Sequence, residues 1–132
     1  MIIFYTKDDF VNYVNQLRNE QKDLHLHFLQ SRWADRIAVD ISGFDLSGSD
    51  CRDSNFSYAN LSNVTCRHTI FENSQFGGAN LACSDFSYCD FRGVDLRGCD
   101  LSNTNFTGSD MRGALLNDAN FDRTCFDHVI WE

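Results

Sequence analysis

From Ile41 to Trp131 a large apolar residue or a cysteine stands at every fifth position, without an insertion or a slip. The series runs through Leu46, Cys51, Phe56 and Leu61 to Leu116, Phe121 and Phe126. Two positions before each of these the residue is small, as at Ala59, Ser74, Ala79, Ser84, Cys89 and Thr104, with Phe44 the bulky exception. Asp or Asn usually lies between them, and the last position favours Gly or another turn former, as at Gly43, Gly48, Gly78 and Gly93. A period of five matches neither the 3.6 residues of a helix turn nor the two-residue alternation of a strand. It suits a chain that turns a corner in every unit. The small and large residues, two apart, then point inward as extended geometry requires. The Asp or Asn between them points outward, and Gly or Asn supplies the turn. Four such sides make a square coil of 20 residues, and successive coils stack at roughly 4.8 Å.

The units "ANLSN", "ANLAC", "VDLRG", "CDLSN" and "SDMRG" resemble the A(D/N)LXX-type unit of the pentapeptide-repeat family. The resemblance spans residues 39–132 and implies an all-β solenoid, a right-handed four-sided β-helix of about four and a half coils. Residues 20 apart should then stack in four inner columns. One is Phe56, Phe76, Leu96 and Leu116, and another is Leu61, Leu81, Leu101 and Phe121. The third runs from Leu46 through Cys66, Phe86 and Phe106 to Phe126, and the fourth from Cys51 through Phe71, Phe91 and Met111 to Trp131. Rings stacked at this spacing attract one another beyond their burial. Cys51 and Cys66 are expected to be small core residues.

Outside, Arg52, Glu72, Arg92, Arg112 and Glu132 form a ladder in which opposite charges adjoin at three of the four steps, suggesting cross-strand pairs. Ile70, Leu115, Cys125 and Ile130 replace the outward Asp or Asn, with Ile70 and Ile130 on one face, and Tyr58 and Tyr88 add aromatic surface. The final coil suggests self-association as a homodimer through Ile130, Trp131, Phe126 and Met111.

Residues 1–38 do not repeat and are expected to form a small α/β N-terminal cap. "IIFY" reads as a short strand. Thr6 is an N-cap candidate, with Asp8 and Asp9 in the first turn of a helix to about residue 22, whose apolar stripe is Phe10, Val14 and Leu17. "DLHLHFLQ" alternates like a strand, with His25 and His27 solvated, and Trp33 and Ile37 lead into the first coil.

The chain carries a net charge of −8 over 132 residues and has no Pro. That charge argues against a nucleic-acid or acidic-membrane ligand and favours a basic partner. No apolar run approaches the length of a membrane span, and the N-terminus lacks a basic n-region. These features suggest a cytoplasmic protein, and the resemblance implies a bacterial or phage-infected cell. The six cysteines show no CxxC pair, so reduced thiols are expected rather than disulfides or zinc ligands. The repeats carry no acid–base pair, nucleophile elbow or phosphate-binding loop, so neither enzymatic activity nor a cofactor is expected.

Some proteins of the family resembled are DNA mimics that bind DNA gyrase. This implies a non-enzymatic inhibitor or protector of a DNA-binding protein, such as a topoisomerase or a host-defence nuclease, acting through regularly spaced carboxylates. The candidates are Asp45, Asp50, Asp85, Asp90, Asp95, Asp100 and Asp110. Unlike some gyrase-binding members, the chain shows no C-terminal helical dimer module and carries an N-terminal extension. The alternative is a protein-interaction scaffold or bacterial effector presenting residues 1–38 or the surface of Tyr58, Ile70 and Tyr88.

Overall fold

The computed structural model describes residues 6–24 and 38–132. The expected strand at residues 2–5, most of the strand expected near 24–28, and His25, His27, Trp33 and Ile37 lie outside the described residues. Helix α1 is Lys7–Asn19. It starts with a capping box: the Thr6 hydroxyl accepts from the Asp9 backbone N–H at 3.1 Å, and the Asp9 carboxylate accepts from the Thr6 N–H at 3.0 Å. It stops before residue 22 because Gln21 turns left-handed. The Gln21 and Lys22 N–H groups then bond the carbonyls of Arg18 and Leu17, a Schellman closure.

From residue 38 the chain winds as the period of five demands. Parallel bridges join each outward residue to the one 20 further on, beginning with Asp40 to Asn60 and ending with Asp110 to Ile130. Each side of the square contributes one bridging residue per coil, and this defines four faces. The Asp100 face carries Asp40, Asn60, Asn80, Asp100 and Asn120. Next come the Asp85 face (Asp45, Thr65, Asp85, Asn105, Cys125), the Asp90 face (Asp50, Ile70, Asp90, Asp110, Ile130) and the Asp95 face (Asn55, Gln75, Asp95, Leu115). At each corner the small residue's N–H can close a β-turn onto the preceding large residue's carbonyl, as Ser49 does onto Leu46 at 3.1 Å. The third turn residue is left-handed at all nineteen corners from Ala38 to His128, twelve of them not glycine. Tyr58, Tyr88, Cys83 and Arg123 therefore hold a conformation that costs roughly 1–2 kcal/mol each, offset by the ladder around them.

The interior is a stack of rings. Phe56 lies on Phe76 with centroids 5.1 Å apart, Phe71 on Phe91 at 5.2 Å, and Phe86 on Phe106 at 5.8 Å. Edge-to-face contacts such as Phe91 to Phe106 at 5.3 Å tie the columns together. Each buried ring contributes about 2–3 kcal/mol by burial alone. The small positions have a second role. Their hydroxyls and thiols donate to the carbonyl 23 residues earlier: Ser74 to Cys51 at 2.7 Å, Ser84 to Leu61 at 2.7 Å, Thr104 to Leu81 at 2.7 Å, and Cys99 to Phe76 at 2.8 Å. Ser, Thr, Cys and Ala alternate there because each is small and the first three also donate to the coil above.

Helix α1 closes the N-terminal end. Phe10, Val14, Leu17 and Leu24 are buried in the same core as Val39, Ile41, Phe44 and Leu46. Within the stack, carbonyls such as those of Asn60 and Ser62 accept from Ile41 and Gly43 one coil earlier. The equivalent carbonyls of the first coil, Asp40 and Ser42, accept instead from the Arg18 guanidinium, at 3.4 and 2.8 Å. The same guanidinium lies 4.5 Å over the Phe44 ring. Phe44 is the bulky exception among the small positions because a helix, not another coil, lies over it.

At the other end two expectations need correction. Met111 is 1% exposed, covered by the last coil, so it cannot belong to a self-association surface. Phe121 follows its inner column but is 53% exposed.

Candidate functional site

The seven candidate carboxylates are distributed over all four faces of the solenoid, and their first task is local. The Oδ1 of each Asp accepts the backbone N–H two residues on: Ser47 to Asp45 at 2.9 Å, Ser87 to Asp85 at 3.0 Å and Ser102 to Asp100 at 3.0 Å. Asn does the same, as at Asn60 for Ser62 at 3.0 Å, because only the carbonyl-type oxygen is used. This explains the interchange of Asp and Asn at the outward position.

Four of the seven also hold an arginine. Asp50, Asp90, Asp95 and Asp110 each receive both Nε and Nη2 of the Arg two residues later, with Nη2 distances of 2.7, 2.7, 2.8 and 2.7 Å to Arg52, Arg92, Arg97 and Arg112. The Arg97 hydrogen bond holds the Asp95 carboxyl below the usual carboxylate range, and Arg112 does the same for Asp110. At Asp90 burial pushes upward, but the Arg92 hydrogen bonds and charge outweigh it and the carboxyl is lowered. The charge ladder expected down the Asp90 face is modified accordingly. Arg92 reaches Glu72 at 3.4 Å, whereas Arg52, Arg92 and Arg112 all turn to their own aspartates.

The arginine-clasped carboxylates therefore occupy the Asp90 and Asp95 faces. Asp45, Asp85 and Asp100 lie on the other two, adjoining faces and have no arginine within ion-pair distance among the described residues. Asp45, Asp85 and Asp100 thus flank the corner of Gly43, Asn63, Cys83 and Asn103, where side chains are short, and Arg123 follows at the same corner in the last coil.

The alternative contact surface does not form one patch. Tyr58 is at the corner between the Asp95 and Asp100 faces, and Tyr88 is diagonally opposite, between the Asp85 and Asp90 faces. Each ring lies flat over a glycine one coil below: a Cβ at Gly78 would sit 2.6 Å from the Tyr58 ring, and one at Gly108 would sit 2.6 Å from the Tyr88 ring. Ile70 is half-buried near Tyr88 only. The tyrosine-over-glycine pairs were legible as residues 20 apart and were not anticipated. Ile130 and Trp131 are exposed, Trp131 to 45%, and Phe126 is half-buried against Phe106 and Trp131.

Among the described residues no group of three His, Cys, Asp or Glu side chains is placed to hold a metal. Cys51, Cys66, Cys89 and Cys99 are buried. Burial pushes the Cys66 thiol upward and takes Cys89 and Cys99 to about 12, which makes them poor nucleophiles.

A family model described as a pentapeptide repeat region matches residues 39–128. A comparison with curated proteins returned no match. Among solved structures, a pentapeptide repeat protein from the thylakoid lumen of Arabidopsis thaliana is 26% identical with a TM-score of 0.62. The alignment covers 64% of this chain and 59% of that one, so this chain matches less than two thirds of that protein's length. The pentapeptide repeat protein Rfr23 from the cyanobacterium Cyanothece 51142 aligns over 93% of this chain and 99% of its own, with a TM-score of 0.59 at 12% identity, a likeness of fold alone.

Proposed function

The chain belongs to the pentapeptide-repeat family, and from that premise we propose that it is a non-enzymatic binding protein that presents an acidic surface to a basic, DNA-binding groove of a protein partner. The observation that carries this reading is the segregation of charge. Among the described residues Asp45, Asp85 and Asp100, on two adjoining faces, have no arginine within ion-pair distance, while the other four candidate carboxylates are each paired with one on the remaining two. A rigid rod with one such sector attracts a groove shaped for phosphates and does not itself bind nucleic acid. Because the interior is filled by stacked rings, the surface is the part of the solenoid left to act.

The test is competition. Immobilised protein is loaded with candidate DNA-handling enzymes, gyrase and restriction-type nucleases among them, and eluted with duplex DNA at low and moderate salt. The triple variant Asp45→Asn, Asp85→Asn, Asp100→Asn should lose retention, while Asp90→Asn with Asp110→Asn should change it less. Retention that is indifferent to salt, to DNA and to the triple variant would refute the mimicry.

A second reading concerns the last coil. Phe121, Ile130 and Trp131 are exposed there, which supports self-association through that end. Light scattering on the Trp131→Arg variant decides it: the wild-type mass should be twice that of the variant, and equal masses sink the reading.

A further inference from the structure

The longest break in the outward Asp/Asn pattern is Thr65, Ile70 and Gln75. It has an electrostatic result. Arg52, Arg92, Arg97 and Arg112 each follow an Asp by two residues and are clasped by it. Arg67 follows Thr65 instead, and among the described residues no carboxylate lies within ion-pair distance of it. Its guanidinium turns to Tyr88 and lies 5.7 Å from the ring centroid. His68 stacks on the same ring, with centroids 5.4 Å apart and planes 15° from parallel. Arg67 and His68 are exposed, and Tyr88 is 49% exposed, its ring resting on Gly108. Ile70 continues the patch onto the adjoining face.

We propose that Arg67, His68, Tyr88 and Ile70 form a docking corner for a protein segment that carries a single carboxylate beside an apolar side chain. The guanidinium, with no carboxylate within ion-pair distance among the described residues, takes the carboxylate, with the imidazole beside it. Ile70 and the exposed edge of the Tyr88 ring take the apolar group. Tyrosine and arginine held rigidly are the residues that dominate interface energetics, and here the corner is pre-organised, so little ordering is lost on binding. The neighbours set the ligand's size. Asp85 bridges to Thr65 on one side and Asp90 to Ile70 on the other. Asp90 is clasped by Arg92, but a run of phosphates or of acidic residues would extend over the Asp85 carboxylate and be repelled, whereas one carboxylate fits beside it. This corner borders the acidic sector proposed above along the Asp85 face and would serve a segment of opposite charge.

The probe is an acetylated, amidated peptide with one Glu next to Leu, titrated into the full chain and followed by amide NMR. Shifts should be confined to residues near 65–70 and 87–90. Arg67→Ala, whose side chain is exposed, should weaken binding about five-fold without altering the remaining spectrum, and so should replacing the peptide's Glu by Gln. Asp100→Asn, on a different face, should leave this binding unchanged even if it abolishes retention of a DNA-binding partner. Equal affinity for Arg67→Ala, shifts dispersed over other faces, or no shift at all overturns the proposal. Competition by inorganic phosphate or duplex DNA as strong as that by the peptide overturns the carboxylate assignment.

Discussion

Asp85 separates the two tasks of the outward carboxylate. Its Oδ1 accepts the Ser87 N–H at 3.0 Å, no arginine pairs with it among the described residues, and Ser87 is buried. Asp85→Asn retains an oxygen in the same place, as Asn105 one coil below does for Thr107 at 2.9 Å. The fold should then change by less than about 0.5 kcal/mol. Asp85→Ala removes the acceptor and leaves the Ser87 N–H buried without it, at a cost of about 1–2 kcal/mol. For a chain of this size that lowers the melting temperature by roughly 3–6 °C. Thermal and urea unfolding followed by far-UV circular dichroism measure both variants side by side. Unfolding at the same temperature for Asn and Ala, both well below wild type, would show that the charge rather than the oxygen holds the turn. The account of Asp/Asn interchange would then be wrong. With the expected outcome, Asp-to-Asn variants at Asp45, Asp85 and Asp100 become clean probes of binding, because they alter charge and leave the coil intact.

Arg18→Ala removes the donors to Asp40 and Ser42 and the contact with Phe44. It should cost about 1–2 kcal/mol and speed hydrogen exchange in the first coil, near residues 41–46, while leaving 96–111 protected. Cys83 is exposed and should react with a thiol reagent in the folded protein, whereas Cys51, Cys66, Cys89 and Cys99 should react only after unfolding. The raised pKa values of the buried thiols fix the sign of a pH dependence. Above their ordinary value of 9.0 the unfolded chain releases protons that the folded one retains up to about 12 at Cys89 and Cys99, so stability should fall as pH rises through that interval. The lowered carboxyls of Asp95 and Asp110 act in the opposite limb. Their contribution is complete above the ordinary value of 3.8 and is lost as pH falls below it, and Arg97→Gln should flatten that acid limb.

The solenoid was legible because its signal is a strict count. Nineteen inner positions without a slip leave no register in which Phe76 or Leu101 faces water, and both are buried. The helix was legible from Thr6, Asp9 and the Phe10, Val14, Leu17 stripe, but its end was not, because no glycine marks Gln21 as left-handed. What periodicity hides is contact between coils and between side chains two apart. The spacing of Asp90 and Arg92 repeats four times in the sequence, yet a charge tally treats the two as separate, whereas in the structure they neutralise one another. Tyr58 and Tyr88 count as exposed aromatics in either description, and only the stacking of residues 20 apart shows each ring covering a glycine at opposite corners. Met111 was placed at the end of the rod by its column, and the coil of Trp131 lies over it.

A repeat of this regularity gives each face the same backbone and nearly the same side chains, so specificity has to come from departures from the unit. The outward Asp or Asn is fully accounted for by its hydrogen bond to the residue two further on, and it would be present in a coil that bound nothing. The departures differ in kind. Phe44 departs because α1 and Arg18 lie over it, and Leu115 departs on a face where Arg97 neutralises Asp95. Thr65 departs and thereby leaves Arg67 with no carboxylate within ion-pair distance among the described residues. The carboxylates without arginine show the same logic from the other side. Ser47, Ser87 and Ser102 occupy the place that arginine takes elsewhere, and their backbone N–H groups close the turn onto the aspartate as that of Arg97 does. Serine rather than arginine at those three positions leaves Asp45, Asp85 and Asp100 without an ion pair among the described residues, and that is where selection for a partner would leave its mark.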